Sequence, residues 1–402
     1  MAVVKALHSI LYGLLISAGL YALFLGLLTI PALQDQVIYL NRVTLTWFQD
    51  VNVPEQWGFL RNQVTPFFLT TPDGESLHAW HILPLELYRQ NQEALLAEPP
   101  GLVLDVKERL SFKLLRDDHS SLLVLYFHGA AGTLGSGWRP PSYRAMSANA
   151  PHRIHTVAID YRGFGASSGR PSEEGLLTDA VTLAEWAMRE AGIPPSRIVV
   201  FAQSIGTAVS LSLIHHMATA QPEEPVLFSG AVLVAPLADV ESLTATYRLA
   251  GTIPLLDPVA KLLPPLLAWL NTFIRAKWPS KAKLAEFVRR CEAMDQSESA
   301  LGLRYDITII HAEDDYDIPW SHSEQLFWHA ANASTPHGIA FDELEREKSA
   351  SRVDNVAGGW TVERRTRRGV VREEIMKYGL HDRIMSYPVV SMAVMRAFRT
   401  LR

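Results

Sequence analysis

Residues 197–208 read as a strand that runs into a helix through a single serine, and this junction restricts the folds open to the chain more than any other stretch. The apolar run Ile198-Val199-Val200-Phe201 leads into Ala202-Gln203-Ser204-Ile205-Gly206, after which Thr207-Ala208 begin a helical pattern. A serine at so sharp a turn has a strained backbone, and the positions two before and two after must be small for strand and helix to approach. Ala202 and Gly206 meet that demand. The following helix aims its free N–H groups at the turn, so Ser204 is the candidate nucleophile and the Ile205 N–H a candidate oxyanion donor.

The flanking chain supplies the sheet such a turn needs. Residues 122–127, 156–159, 198–201 and 230–234 are short apolar runs without alternation, the mark of strands covered on both faces. Between them, residues 173–191 carry Leu176, Leu177, Ala180, Leu183, Ala184 and Ala187 at helical spacing, stopped by Gly192-Ile193-Pro194-Pro195. Alternating strands and helices imply a mostly parallel α/β sheet with helices on both faces. Upstream, two strand-like runs flank Pro72-Asp73-Gly74 as a hairpin, and a polar stretch over 89–120 interrupts the pattern. The Pro-rich apolar segment at about 240–304 is expected to be a helical cap insertion, and the charged segment at about 334–368 a loop insertion. Residues 307–310 and 370–378 are the last strand candidates.

At the other end of the chain, residues 6–34 contain no Asp, Glu, Lys or Arg. At about 1.5 Å per helical residue this run crosses a hydrocarbon core of about 30 Å, and it is too long for a cleaved signal peptide. The expected organisation is a retained membrane anchor over 1–34 and a catalytic domain over 35–402. Lys5 on one side, against Arg42 and Asp35 on the other, leans towards a lumenal domain, where Asn332-Ala333-Ser334 would be a glycosylation acceptor. The net charge of −5 points to no nucleic-acid partner. The single cysteine, Cys291, can form no internal disulfide and reads as buried filler.

A hydroxyl needs a general base, itself oriented by a carboxylate. In a fold of this kind the chain order is serine, acid, histidine. Asp314, Asp315 and Asp317 follow the strand at 307–310, with Asp315 the chosen acid and Asp314 its rival. His322, His329 and His337 fall in or beside a helix, whereas His381 follows the last strand and is the candidate base. The loop His128-Gly129-Ala130-Ala131-Gly132 is placed to offer the second oxyanion donor, Ala130 N–H, with His128 read as structural. The glycines of residues 160–169 lack dinucleotide-loop spacing, and His311, Glu313 and Asp317 lack a partner group for a metal, so no cofactor or metal is expected.

Taken together, residues 127–132, 160–165, 203–208 and 311–315 and the region of His381 resemble the membrane-anchored α/β-hydrolases of the domain-containing-protein-12 type, in a fungal-looking version. The resemblance covers about 65–402 and the anchor. It implies an α/β-hydrolase fold with a Ser204-Asp315-His381 triad and no cofactor. It also implies action on monoacylglycerols or lysophospholipids at the endoplasmic reticulum membrane. Ala130 stands where relatives often have Asn, and Tyr316 where Pro is usual. The same motifs serve protein depalmitoylases, which cleave thioesters, and a non-catalytic scaffold at the membrane is the remaining alternative.

Overall fold

The computed structural model describes residues 2–249, 252–294, 304–355 and 358–399. Its main sheet has ten strands: β1 (Val64–Thr70), β2 (Ser76–Ile82), β3 (Leu122–Phe127), β4 (Ile154–Ile159), β5 (Ile198–Gln203), β6 (Gly230–Val234), β7 (Tyr305–Ala312), β8 (Val353–Asp354), β9 (Gly359–Arg365) and β10 (Gly369–Met376). They lie in the order β1-β2-β4-β3-β5-β6-β7-β10-β9-β8. From β4 to β10 every neighbouring pair is parallel. The two margins are antiparallel, and β1 and β2 are joined through Pro72-Asp73-Gly74 with Gly74 at φ 89°.

The unalternating apolar runs have the expected cause: every residue of β3, β5, β6 and β7 is buried. Successive side chains enter opposite cores. Leu125, Phe127 and Val200 face one core with α4 (Glu173–Glu185), α5 (Ile205–Thr219), α9 (Ser280–Ala293) and α10 (Ser321–Ser334). Tyr126, Phe201 and Val232 face the other with α3 (Arg139–Met146) and α12 (Pro388–Arg399).

The apolar N-terminus is one helix, α1 (Ala2–Leu27), largely exposed along its length and long enough to cross a bilayer. α2 (Pro31–Tyr39) follows and belongs to the body of the molecule: the Tyr39 carbonyl accepts from Ala131 N–H at 2.9 Å, and Trp278 Nε1 donates to Tyr39 Oη at 3.3 Å. The segment expected as a cap contains α6 (Val240–Thr246), α7 (Asp257–Leu262) and α8 (Pro264–Asn271). Its C-terminal part differs from that expectation, because α9 buries Leu284, Phe287, Val288 and Cys291 and so covers the sheet itself. Residues 250–251 and 295–303 of that segment lie outside the described residues.

The polar stretch that interrupts the pattern and the segment expected as a loop insertion both contain regular elements. Within 89–120, helices at Gln92–Ala97 and Leu110–Arg116 bury Leu95, Phe112 and Leu115. Within 334–368, α11 (Phe341–Ser351) and the edge strands β8 and β9 replace the expected loop. Their charges hid the pattern because they neutralise one another. Lys348 is buried, 2.9 Å from both Glu373 and Glu345 and 5.2 Å from the Trp360 ring centre, and Trp360 and Val362 alternate inward on β9. Asn332, the expected glycosylation acceptor, lies in α10, and its Oδ1 accepts from Ile339 N–H at 2.8 Å.

Burial pushes the Glu373 carboxyl up to about 7 even though Lys348 pulls it down. Lys348→Met would leave that carboxyl buried without its cation, a change that typically costs about 3–5 kcal/mol. Melting of the variant in detergent should show a large loss at pH 8 and a smaller one near pH 5.5, where Glu373 takes a proton. A loss independent of pH would contradict this pairing.

Candidate active site

Ser204 sits at the C-terminal end of β5 with φ 55° and ψ −127°, a region non-glycine residues rarely occupy, and its N–H donates to Val234 O at 3.0 Å. Gly206 is what lets α5 start there. A Cβ on Gly206 would lie 2.3 Å from Phe127 O and 2.6 Å from His128 O. Gly129 is crowded in the same way, since its Cβ would meet Gln203 Oε1 at 2.3 Å.

The other two predicted groups arrive from the ends of parallel strands on the same side. Asp315 follows β7 and His381 follows β10, which places both over the C-terminal ends of the strands, where open α/β sheets gather ligands. His381 Nε2 lies 2.9 Å from Ser204 Oγ, and His381 Nδ1 lies 2.7 Å from Asp315 Oδ2. Asp314, the rival acid, has a different partner set: its Oδ1 accepts from the N–H groups of Gly379 and Leu380, both at 2.8 Å, and so clamps the loop that carries His381. Gln203 Nε2 closes the same loop, donating to His381 O at 3.2 Å and to Asp382 Oδ1 at 3.0 Å.

Asp315 is saturated. Its Oδ1 accepts from Asp317 and Ile318 N–H at 3.0 Å each, and His311 Nε2 lies 3.0 Å from its Oδ2. Since His311 Nε2 is also 2.9 Å from the Ile318 carbonyl, that nitrogen is the donor, while Nδ1 meets Ser323 Oγ at 2.7 Å. Burial alone would raise the Asp315 carboxyl, but the His381 and His311 imidazoles hold it well below the usual carboxylate range. In return, burial depresses His381 while Asp315, Asp382 and Asp317 raise it, and it is pushed up to about 9.

The loop after β3 reaches the same site through Ala130. Ala130, Ile205 and Ser204 line one cavity. Ile205 is the first residue of α5, so its N–H has no partner within the helix. Arg139, at the start of α3 and buried, holds the loop open: it donates to Thr133 O at 2.6 Å, Gly129 O at 3.0 Å, Ala130 O at 3.2 Å and Ala131 O at 2.7 Å. With these carbonyls turned towards Arg139, Ala131 takes φ 56°. The cavity has a volume of about 580 Å³ and is mostly apolar, with Phe24 and Leu28 from the end of the N-terminal segment, Leu237, Val240, Leu243 and Leu256 among its walls.

The remaining candidates fall outside the relay. His128 is buried with Nδ1 2.7 Å from Gly129 O and Nε2 3.3 Å from Asp160, a structural pairing. His322 Nδ1 accepts from Ala238 N–H at 3.2 Å, and burial pushes its pKa down to about 4. His329 packs edge-on against Trp328, and His337 lies in the turn after α10. Burial pushes the Cys291 thiol up, leaving it unreactive. The grouping of His311, Glu313 and Asp317 does not assemble, because Glu313 pairs with Lys377 at 2.9 Å and His311 is committed to Asp315. Asp315, Asp317 and His381 do lie together, with ligand atoms within 4.8 Å of one another, but both His381 nitrogens already face Asp315 and Ser204.

Three supporting residues were not singled out in the sequence: Arg139, Gln203 as a clamp, and His311 as a partner of the acid. Gln203 stood inside the elbow motif, but Arg139 carried no local signal, since its four acceptors are backbone carbonyls set by loop conformation.

A model of the alpha/beta hydrolase family matches residues 124–346, more than half of the chain. The chain belongs to the alpha/beta hydrolase family. Among curated relatives of this alpha/beta hydrolase, the lysophosphatidylserine lipase ABHD12 of Danio rerio is 26% identical over 77% of this chain and 69% of its own length. The protein of the same name from Xenopus tropicalis is 27% identical over 78% of this chain and 70% of its own. A relative in Homo sapiens, ABHD12B, is 25% identical over 74% of this chain. The solved alpha-beta hydrolase from Vibrio vulnificus shares the fold, with a TM-score of 0.51 at 14% identity over 92% of each chain.

Gly206→Ala tests the geometry of the turn directly. Its Cβ would meet backbone oxygens that cannot rotate away, so the cost should exceed the roughly 1–3 kcal/mol of ordinary overpacking. The melting temperature should fall by several degrees or the protein should fail to accumulate; an unchanged melting temperature would rule the close approach out.

Proposed function

We propose that this alpha/beta hydrolase is a serine hydrolase that cleaves a single-chain lipid ester, a lysophospholipid or a monoacylglycerol. The observation that carries this reading is the hydrogen-bonded chain Ser204-His381-Asp315, whose first two members line a mostly apolar cavity. Relatives named as lipases support lipid ester hydrolysis by the family to which this chain belongs.

In this mechanism His381 Nε2 takes the proton of Ser204 Oγ as the hydroxyl attacks the ester carbonyl, and Asp315 holds the imidazole in the tautomer that can accept it. The negative charge on the carbonyl oxygen is met by the N–H groups of Ile205 and Ala130. His381 then gives its proton to the leaving alcohol. Water, deprotonated by the same imidazole, releases the fatty acid from the acyl-enzyme. Arg139 acts at one remove by fixing the loop that presents Ala130. We further read α1 as a single membrane span with the catalytic domain on the lumenal side of the endoplasmic reticulum, supported by Lys5 in its first turn.

Ser204→Ala should abolish labelling by a fluorophosphonate probe and lower kcat by more than about a thousandfold, with melting unchanged. A panel of lysophospholipid, monoacylglycerol and palmitoylated peptide checks the substrate, and a preference for the thioester would displace this reading. Because His381 must be neutral to accept a proton, kcat/KM should fall as pH drops through its raised pKa. The acid limb should therefore lie above the range of about 6.5 of a free imidazole. Asp317→Asn and Asp382→Asn should each move that limb to lower pH; a limb that stays in place would remove these carboxylates from the account. Arg139→Leu should reduce kcat by about a hundredfold, the typical effect of losing an oxyanion donor, with a smaller change in KM.

A further inference from the structure

Helix α1 does more than hold the domain near a membrane. Its last two turns pack into the α7–α8 hairpin of the cap: Leu25 is buried against Val259, Leu267 and Leu270, with Tyr21 and Phe24 beside them. Tyr21 Oη donates to Leu255 O at 2.8 Å, and Gln34, buried where α1 passes into α2, donates to both Leu28 O and Phe273 O. The cap is thus fastened to the anchor.

The position of that contact along α1 sets the depth of the cap. Lys5 keeps the first turn out of lipid, and about 20 residues beyond it are needed to cross the hydrocarbon. Tyr21 therefore falls several Å inside the apolar layer, and Leu255 is brought to the same depth. Side chains at that level meet lipid rather than water, and those pointing away from α1 match this. Leu262 is 78% exposed, Leu263 54% and Trp269 52%, a run of large apolar groups on the free side of the hairpin, ending in an aromatic residue suited to the interface.

We propose that the α7–α8 hairpin lies within the membrane interface beside α1, with Leu262, Leu263 and Trp269 in lipid. The catalytic cavity then takes its acyl chain directly from that leaflet, past Phe24 and Leu28. The cavity has the right walls for this. Phe24, Leu28, Leu255 and Leu256 belong to the anchor end and the cap, and they line the same cavity as Ser204 and His381. The inference rests on α1 being a span, and the test separates the two.

The full chain would be reconstituted in phosphatidylcholine vesicles with or without brominated phosphatidylcholine, carrying an environment-sensitive NBD label at one of three positions. Trp269→Cys reports the cap, Leu15→Cys the middle of α1, and His119→Cys the far end of the sheet; Cys291 is buried and does not compete for label. Quenching of the labels at 269 and 15 but not at 119 is expected. Quenching at 15 without quenching at 269 would overturn the proposal and leave the span intact, whereas no quenching at 15 would overturn both. A label at 269 that shifts to the blue with protein concentration but ignores brominated lipid would assign the patch to a second copy of the chain and also overturn it. In parallel, Leu262→Glu combined with Leu263→Glu should slow hydrolysis of vesicle-borne lysophospholipid at least fivefold while leaving a soluble short-chain ester within twofold. An unchanged rate on vesicles would count against the proposal.

Discussion

The contact between Gly206 and the backbone carbonyls at the end of β3 is the constraint from which the site follows. Because α5 begins against Phe127 O and His128 O, the chain must reverse within one residue, and Ser204 takes the strain of that reversal at φ 55°. The hydroxyl is thereby lifted clear of β5, and the first amide of α5 is left without an intrahelical partner beside it. The same close approach sets the loop after β3 against the elbow, where Gly129 packs on Gln203 and Ser204. One missing Cβ thus brings the nucleophile and both amide donors of the proposed mechanism within reach of one carbonyl.

A second layer of order comes from polar groups that never face the cavity. Asp315 could serve His381 poorly if it were free to rotate or to share its charge with water. Two backbone N–H groups and His311 remove both freedoms, and Ser323 fixes His311 in turn. Asp314 does for the His381 loop what His311 does for Asp315. The carboxylates at 314 and 315 are adjacent in sequence yet have separate tasks: one binds the backbone that carries the histidine, the other its ring. Buried polar networks of this kind are costly unless every member is paired, and here the pairing places the histidine against Ser204.

The sequence was most legible where a physical demand is local. The steric need for small residues around Ser204 and the doubly covered strands could both be read from neighbouring letters. The order of the acid and histidine after strand ends could be read from topology. Reading failed where pairing is distant. The charges of residues 334–368 suggested a loop because Lys348, Glu345, Glu347 and Arg364 are polar one at a time, and only the fold pairs Arg364 with Glu347 and sets Lys348 between Glu373 and the Trp360 ring. α9 was assigned to the cap because its Pro-rich leader resembles the segment before it, although its own apolar stripe faces the sheet. Arg139 was invisible for a related reason. A guanidinium that binds four carbonyls leaves no trace in the identity of those residues, since every residue carries a carbonyl.

The anchor reading changes in kind once the cap is seen to rest on it. An apolar stretch of this length can act as a tether joined by a flexible linker, in which case the domain samples the membrane surface in many orientations. Here only three residues separate α1 from α2, Gln34 ties that junction to Phe273, and Tyr39 at the end of α2 holds the amide of Ala131 in the loop beside Ser204. A continuous series of hydrogen bonds and packed side chains therefore runs from the exposed apolar helix to the loop beside Ser204. Such a connection fixes the direction in which the cavity points relative to α1, so with α1 as the proposed span and a lipid ester as the proposed substrate, orientation and access become the same physical problem.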